Sequence, residues 1–218
     1  RISKVKTFSV LDALKKKITK GLINRHDVDW SLDDAYSLSQ LEQDNEINST
    51  YYIRLNSELY NPKSRKNRII LKKMKNFFEI GLHFDSTIYD KKNLKKGFFQ
   101  EINILSDIIE DRIYTFSDHI PSKYGYIESY NKNVISAYNK KIFVKRNYIS
   151  DSRYNYKKNF SYYVDLSKQK VIYLLTHPEY YINSKRSYKT IINRILKNFN
   201  YYATEEMSIS NKNFKKFS

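Results

Sequence analysis

Leu22-Ile23-Asn24-Arg25-His26-Asp27-Val28 reads as a β-strand, and Asp29-Trp30-Ser31-Leu32-Asp33-Asp34-Ala35 reads as a turn entering a helix. Over Ser31–Glu46 the apolar residues Leu32, Ala35, Leu38 and Leu41 recur at helical spacing, and Asp33 and Asp34 sit near the positive end of the helix dipole. Working outward, the same alternation continues. Strands are expected at Thr50–Leu55, Glu79–Phe84, Ile113–Phe116 and Val171–Leu175, and helices at Ser64–Phe78, Leu94–Glu110 and Ser184–Phe199. A short amphipathic helix opens the chain within residues 1–20, with Ser9 as N-cap, Asp12 three residues on and Gly21 as its stop. A Tyr- and Asn-rich middle from Lys123 to Asn159 carries short strands near Ile142–Val144 and Tyr148–Ser150, and residues 200–218 read as a ragged tail. Strands and helices alternating at this spacing argue for parallel βα units, as an open sheet or a barrel. In either, functional side chains gather at the C-terminal ends of the strands.

Composition bounds the answer. The 218 residues suit a single domain spanning 1–218, and 40% hydrophobic residues suffice for a core. No stretch approaches the ~20 apolar residues of a membrane span, so the chain reads as soluble, and a cytoplasmic location is the expectation. Cysteine is absent, which excludes disulfides and thiolate ligands; a transition metal must use His and carboxylate. The net charge of +17 invites a nucleic-acid reading. The basic residues, however, are mostly Lys and are scattered in pairs such as Lys72-Lys73, Lys95-Lys96 and Lys157-Lys158. That pattern reads as a solvated surface, and no sequence-specific nucleic-acid partner is expected.

The four histidines all fall in or just past the ends of expected strands: His26 in Arg25-His26-Asp27-Val28-Asp29, His83 in Gly81-Leu82-His83-Phe84-Asp85, His119 in Ser117-Asp118-His119-Ile120-Pro121, and His177 in Leu174-Leu175-Thr176-His177-Pro178. A parallel architecture brings these four places together. Singly, each histidine reads as a hydrogen-bonding structural residue, and Asp27 and Asp29 as caps for the helix at Ser31. Jointly they read as a site. Residues i and i+2 of a strand face the same side, so Asp27 and Asp29 share one. One carboxylate can hold a cation while the other takes a proton from water, and a catalytic metal wants about three protein ligands.

Arg25-His26-Asp27-Val28-Asp29, Gly81-Leu82-His83, His119-Ile120-Pro121 and Leu174-Leu175-Thr176-His177-Pro178 resemble, in order, the motifs of the polysaccharide deacetylase superfamily (NodB homology, carbohydrate esterase family four). Ser49-Thr50-Tyr51-Tyr52, Tyr148-Ile149-Ser150-Asp151-Ser152 and Thr176-His177-Pro178-Glu179-Tyr180 are similar to its members from bacterial surface-polysaccharide gene clusters. The resemblance implies a distorted (β/α) barrel with fewer than eight parallel strands, a divalent metal with zinc first in line, and removal of an acetyl group from a sugar. It makes Asp27 the general base, Asp29 and His83 metal ligands, His177 the general acid and Asp151 the carboxylate that orients His177. Two departures stand out. Thr87 occupies the place of the family's second histidine ligand, for which Asp85 or His119 is the substitute. His119 also occupies the slot of an arginine that braces the base, so it is a displaced ligand, a brace for Asp27, or neither. Trp30 and Tyr180 are the candidate faces for a sugar ring. Two other readings compete: a deacetylase fold that binds glycan without turnover, and a basic nucleic-acid-binding domain.

Overall fold

One parallel sheet organises the chain in a computed structural model that describes residues 5–120, 130, 133–152, 159–182 and 187–210. Its strands are β1 (Thr7–Phe8), β2 (Gly21–Val28), β3 (Thr50–Ile53), β4 (Glu79–Phe84), β5 (Thr115–Asp118), β6 (Ile135–Ser136), β7 (Tyr148–Ser150) and β8 (Val171–Thr176). Seven lie side by side in the order β6-β5-β4-β3-β2-β8-β7. The two-residue β1 pairs with β2 at Leu22 and Ile23, below the point where β3 begins at Arg25. The helices are α1 (Val10–Lys15), α2 (Leu32–Asp44), α3 (Arg65–Lys75), α4 (Leu94–Ile109), α5 (Phe160–Ser167) and α6 (Tyr188–Ser210). The sheet is curled into an incomplete barrel of fewer than eight full strands, as the motif resemblance implied. Its two sides lean toward each other across the interior: the Tyr173 hydroxyl on β8, next to the edge strand β7, donates to the Ala137 carbonyl, just past the edge strand β6, at 2.8 Å.

Alternation of side chains divides the core in two. Outward residues such as Val28, Tyr51, Ile53, Leu82 and Phe116 pack under α2, α3 and α4, whose buried stripes include Ala35, Leu71, Met74, Phe98 and Leu105. Inward residues Ile23, Tyr52 and Tyr173 meet Val10 and Ala13 of α1, which closes the N-terminal mouth. Glu79, at the start of β4, accepts from Leu11 N at 2.8 Å, from Thr50 Oγ1 at 2.6 Å and from Thr115 Oγ1, tying that plug to three strands. Gly81 is glycine because the Tyr52 ring lies across it; a Cβ there would stand 2.4 Å from the ring.

Several expectations need correction. Gly21 does not stop α1, which is capped by Ser9 as expected but ends at Lys15; Gly21 opens β2 at φ +124°, close against the Lys6 carbonyl. Residues 142–144 form no strand: the Ile142 and Phe143 N–H groups donate back to Asn139 in a turn, and Ile142 fills the barrel interior. The fifth strand runs Thr115–Asp118, two residues later than the apolar pattern of Ile113–Phe116 implied. Residues 200–210 are no ragged tail but the end of α6, while Ser184, Lys123 and Pro121 lie outside the described residues.

Candidate active site at the C-terminal mouth of the barrel

The parallel register fixes which residues can meet. Asp27 pairs with Tyr52, His26 with Thr176 and His83 with Ser117, so Asp27 and His177 stand level on neighbouring strands, and Asp29 rises one step above. The His119 N–H donates to the Phe84 carbonyl at 2.9 Å, seating His119 beside the end of β4.

Three ligand-type atoms then converge. His83 Nε2 and His119 Nδ1 each lie 3.1 Å from Asp29 Oδ1, and 3.1 Å from each other. Asp29 Oδ1 is buried, and despite those distances neither imidazole is aligned to donate a hydrogen bond to it. All three atoms therefore face one common centre, where the two imidazoles are in hydrogen-bond contact with each other. His83 Nδ1 faces the Ser117 carbonyl at 3.3 Å, and a carbonyl only accepts. Nδ1 thus carries a proton, and Nε2 is the nitrogen turned toward Asp29 and His119. Burial opposes charge on Asp29, but the two histidines hold its carboxyl well below the usual carboxylate range. Burial likewise works against a charged His83, and the nearby Asp27 and Asp29 raise it nonetheless.

Asp27 lies beside this triangle, its Oδ2 3.8 Å from His83 Nε2. That oxygen accepts from Arg25 Nη2 at 3.0 Å and from Ser117 Oγ at 3.2 Å, while Oδ1 is buried without a partner. Arg25 is fully buried inside the barrel, over the rings of Tyr138, Tyr52 and Tyr173 at 4.6, 5.6 and 5.7 Å, and also meets the Tyr138 hydroxyl at 2.9 Å. The brace on Asp27 is thus Arg25, two residues back on the same strand face, and His119 sits with Asp29 and His83 instead.

His177 closes the other side. Its Nδ1 lies 2.6 Å from Asp151 Oδ1, and its backbone N–H donates to Asp151 Oδ2 at 2.8 Å. That leaves Nε2 directed at the cluster, 3.6 Å from Asp29 Oδ2. Burial pulls the imidazole down, and the bond and charge of Asp151, helped by Asp29 and Asp27, more than reverse this and push it up to about 9. Tyr181 donates to Asp151 at 3.0 Å.

The remaining candidates sort clearly. Asp85 pairs with Arg54 at 2.6 Å and caps the turn holding Thr87, so neither Asp85 nor Thr87 is in the triangle. His26 does not join the others. It faces outward, between Thr176 Oγ1 at 2.6 Å and Glu42 Oε1 at 2.9 Å. Tyr180 is buried with Ile191 and Ile195, its ring 5.5 Å from that of His177. Trp30 is half-buried, edge-on to Tyr180 at 5.8 Å, and borders a groove of about 830 Å³ that α6 and Tyr60 also line. Sequence reasoning missed Arg25 and Glu179. Arg25 shares a face with Asp27 and Asp29, which was the available signal. Glu179, whose Oε1 accepts from the backbone of residues 29–31, carried none beyond its place two residues after His177. Burial and then the charge of Asp29 push the Glu179 carboxyl up to about 7.

Among solved structures, the chain is similar to the peptidoglycan deacetylase PdaC of Bacillus subtilis, at 13% identity and TM-score 0.51, over 92% of this chain and 98% of that one. It is also similar to two structures of mutants of a CE4 family pseudoenzyme, one of them with restored enzymatic activity, both at 9% identity and TM-score 0.50 over 86% of this chain. The chain spans 65% of the length of the mutant with restored activity and 64% of the other. No family model matches the sequence, and no curated protein matches it. The fold is that of the CE4 polysaccharide deacetylases.

Proposed function

On this fold we propose that the protein is a metal-dependent hydrolase that removes an acetyl group from a sugar of bacterial surface polysaccharide, with zinc as its metal. One observation carries the reading: Asp29 Oδ1, His83 Nε2 and His119 Nδ1 form a triangle 3.1 Å on each edge. Ligands bonded at ~2.0–2.2 Å on one face of an ion stand roughly 3.0–3.5 Å apart, so the residues fit a divalent cation with positions open for water and substrate. Imidazole and carboxylate suit zinc, and nickel, cobalt or manganese as well. When bound, the cation supplies Lewis acidity toward the acetyl carbonyl and lowers the pKa of a water molecule.

The protein's own groups do the rest. Arg25 and Ser117 occupy one oxygen of Asp27, and its other oxygen is left to accept the proton from the attacking water. His177, kept protonated by Asp151, donates through Nε2 to the departing sugar nitrogen or oxygen and faces the oxyanion as it forms. Trp30 and Tyr180, packed edge-on to each other beside His177, offer an aromatic wall to a sugar ring.

Thr87 in place of a histidine ligand favours a second reading, a deacetylase fold that binds glycan without turnover. Acetate release from N- and O-acetylated oligosaccharides by zinc-loaded and chelator-stripped protein decides between them. Zinc-dependent release supports the hydrolase; glycan binding by a zinc-loaded protein that releases none supports the second reading.

A further inference from the structure

The chain between β2 and α2 has an unusual anchor. Asp29, Trp30 and Ser31 lie past the last sheet residue and before the first helical one, so neither the ladder nor the helix takes their N–H groups. One atom takes all three: Glu179 Oε1 accepts from Asp29 N at 3.1 Å, Trp30 N at 2.6 Å and Ser31 N at 3.3 Å. The Glu179 side chain is wholly buried. On the other side of the same residue, Ser57 Oγ donates to the Asp29 carbonyl at 3.0 Å. Both peptide groups of Asp29 are therefore held, one by Glu179 and one by Ser57, and the side chain has little freedom left beyond its own torsions.

Glu179 is itself held in place. Its carbonyl accepts from Arg194 Nη2 at 3.3 Å, and Arg194 Nη1 pairs with Asp34 at 2.5 Å. It belongs to the short turn Pro178–Tyr180 that His177 caps. A single turn after β8 thus carries the imidazole on one flank of Asp29 and the carboxylate that anchors its backbone.

We propose that Glu179 is a positioning residue for the metal: by gathering the three N–H groups it sets the place of the Asp29 carboxylate and thereby the affinity for the ion. The inference rests on the metal-site reading above. Metal ligands must be held to within about 0.5 Å, and losing a group that orients a ligand typically costs 10–100-fold in metal affinity. A merely structural Glu179 would instead stabilise the turn and leave affinity alone.

The test is zinc titration of the full chain against a chromogenic chelator, with melting temperatures measured in parallel. Glu179→Ala removes the acceptor, Glu179→Asp retracts it by one methylene, and Glu179→Gln keeps an acceptor oxygen at the same reach. Zinc dissociation constants about 10–100-fold higher for Ala and Asp, with Gln close to the parent, support the proposal. If Ala fails to fold, the Asp–Gln contrast carries the same information. Ala and Asp variants that bind zinc as tightly as the parent overturn it, whatever their melting temperatures. A parent chain that takes up no zinc overturns the metal reading itself, and this inference with it.

Discussion

The two faces of strand β2 are built from the same residue types and behave oppositely. Outward, His26 has both ring nitrogens engaged, by Thr176 and Glu42, and Glu42 also receives Asn24, Ser49 and Tyr51. Inward, Asp27 and Asp29 each keep a buried oxygen with no hydrogen-bond partner, facing His83, His119 and His177. The outward network holds two layers of the fold together, and though Asn24 Oδ1 lacks a partner, its imidazole and carboxylate have every ligand-type atom engaged. An open one, in an interior where an unpaired polar atom costs roughly 1–3 kcal/mol, is tolerated where a ligand completes it. Histidine and carboxylate at strand ends do not mark a site by their identity; their unspent valence does.

The sharpest way to break this contrast is to disable the inward face one role at a time. Asp27→Asn and His177→Gln should each lower acetate release by roughly 10²-fold or more while zinc content stays at the parent level, since neither role needs the ion as partner. Asp29→Asn should lose zinc and activity together. Retention of most activity by Asp27→Asn would remove it as the base.

A second, smaller effect separates the candidate ligands. His119→Gln should raise the zinc dissociation constant by about 10-fold or more, whereas Thr87→Ala should leave it unchanged, because Thr87 is spent on Asp85. An affinity indifferent to His119 would place the third ligand elsewhere.

The outward face gives the converse. His26→Phe leaves Glu42 buried without its imidazole partner, at a cost of about 1–3 kcal/mol, a fall of several degrees in melting temperature for a chain this size. Turnover of the folded protein should not change. A selective loss of turnover would mean the outer network reaches the site.

These faces were unequally legible in the sequence. β4 was readable to the residue because Glu79–Phe84 is bounded by a charged start and a polar turn. β5 was misplaced because its last residues, Ser117 and Asp118, are polar where a strand reaches a site, so the apolar Ile113 and Tyr114 drew the boundary back. Ile142 looked like strand because it is apolar and buried; it is a plug in a turn. β1 and β6, at two residues each, are too short for any periodicity to announce, and α5 is hidden among tyrosines. At the site, Asp27, Asp29, His83, His119, His177 and Asp151 were readable as ordered motifs. The facing of His26 was readable too, since alternation sets it opposite Asp27; grouping four histidines by strand end overrode that rule. Glu179 was not, because its partners are backbone N–H groups that leave no mark on residue identity.

The smallest effect expected concerns the pH at which the inward face stops working, and it tests the acid most directly. His177 serves as an acid only while protonated, and its imidazole is pushed up to about 9 because Asp151 outweighs the cost of burial. Activity should therefore persist through neutral pH and fall as pH rises through the region near 9, an alkaline limb that belongs to the coupled site rather than to one residue. The same shift has a consequence for stability. A folded pKa above the unfolded one stabilises the fold fully below about 6.5, and that contribution fades as pH rises toward 9. Asp151→Asn keeps an acceptor for His177 Nδ1 but removes the charge, so burial is opposed only by the more distant Asp29 and Asp27. The alkaline limb should then move down toward neutrality, with zinc content unchanged and with only a modest loss of rate well below the limb. The pH profile of acetate release for parent and Asp151→Asn decides the matter. An alkaline limb that stays where it was in the variant means that the group titrating there is not His177, and the general acid must be sought elsewhere.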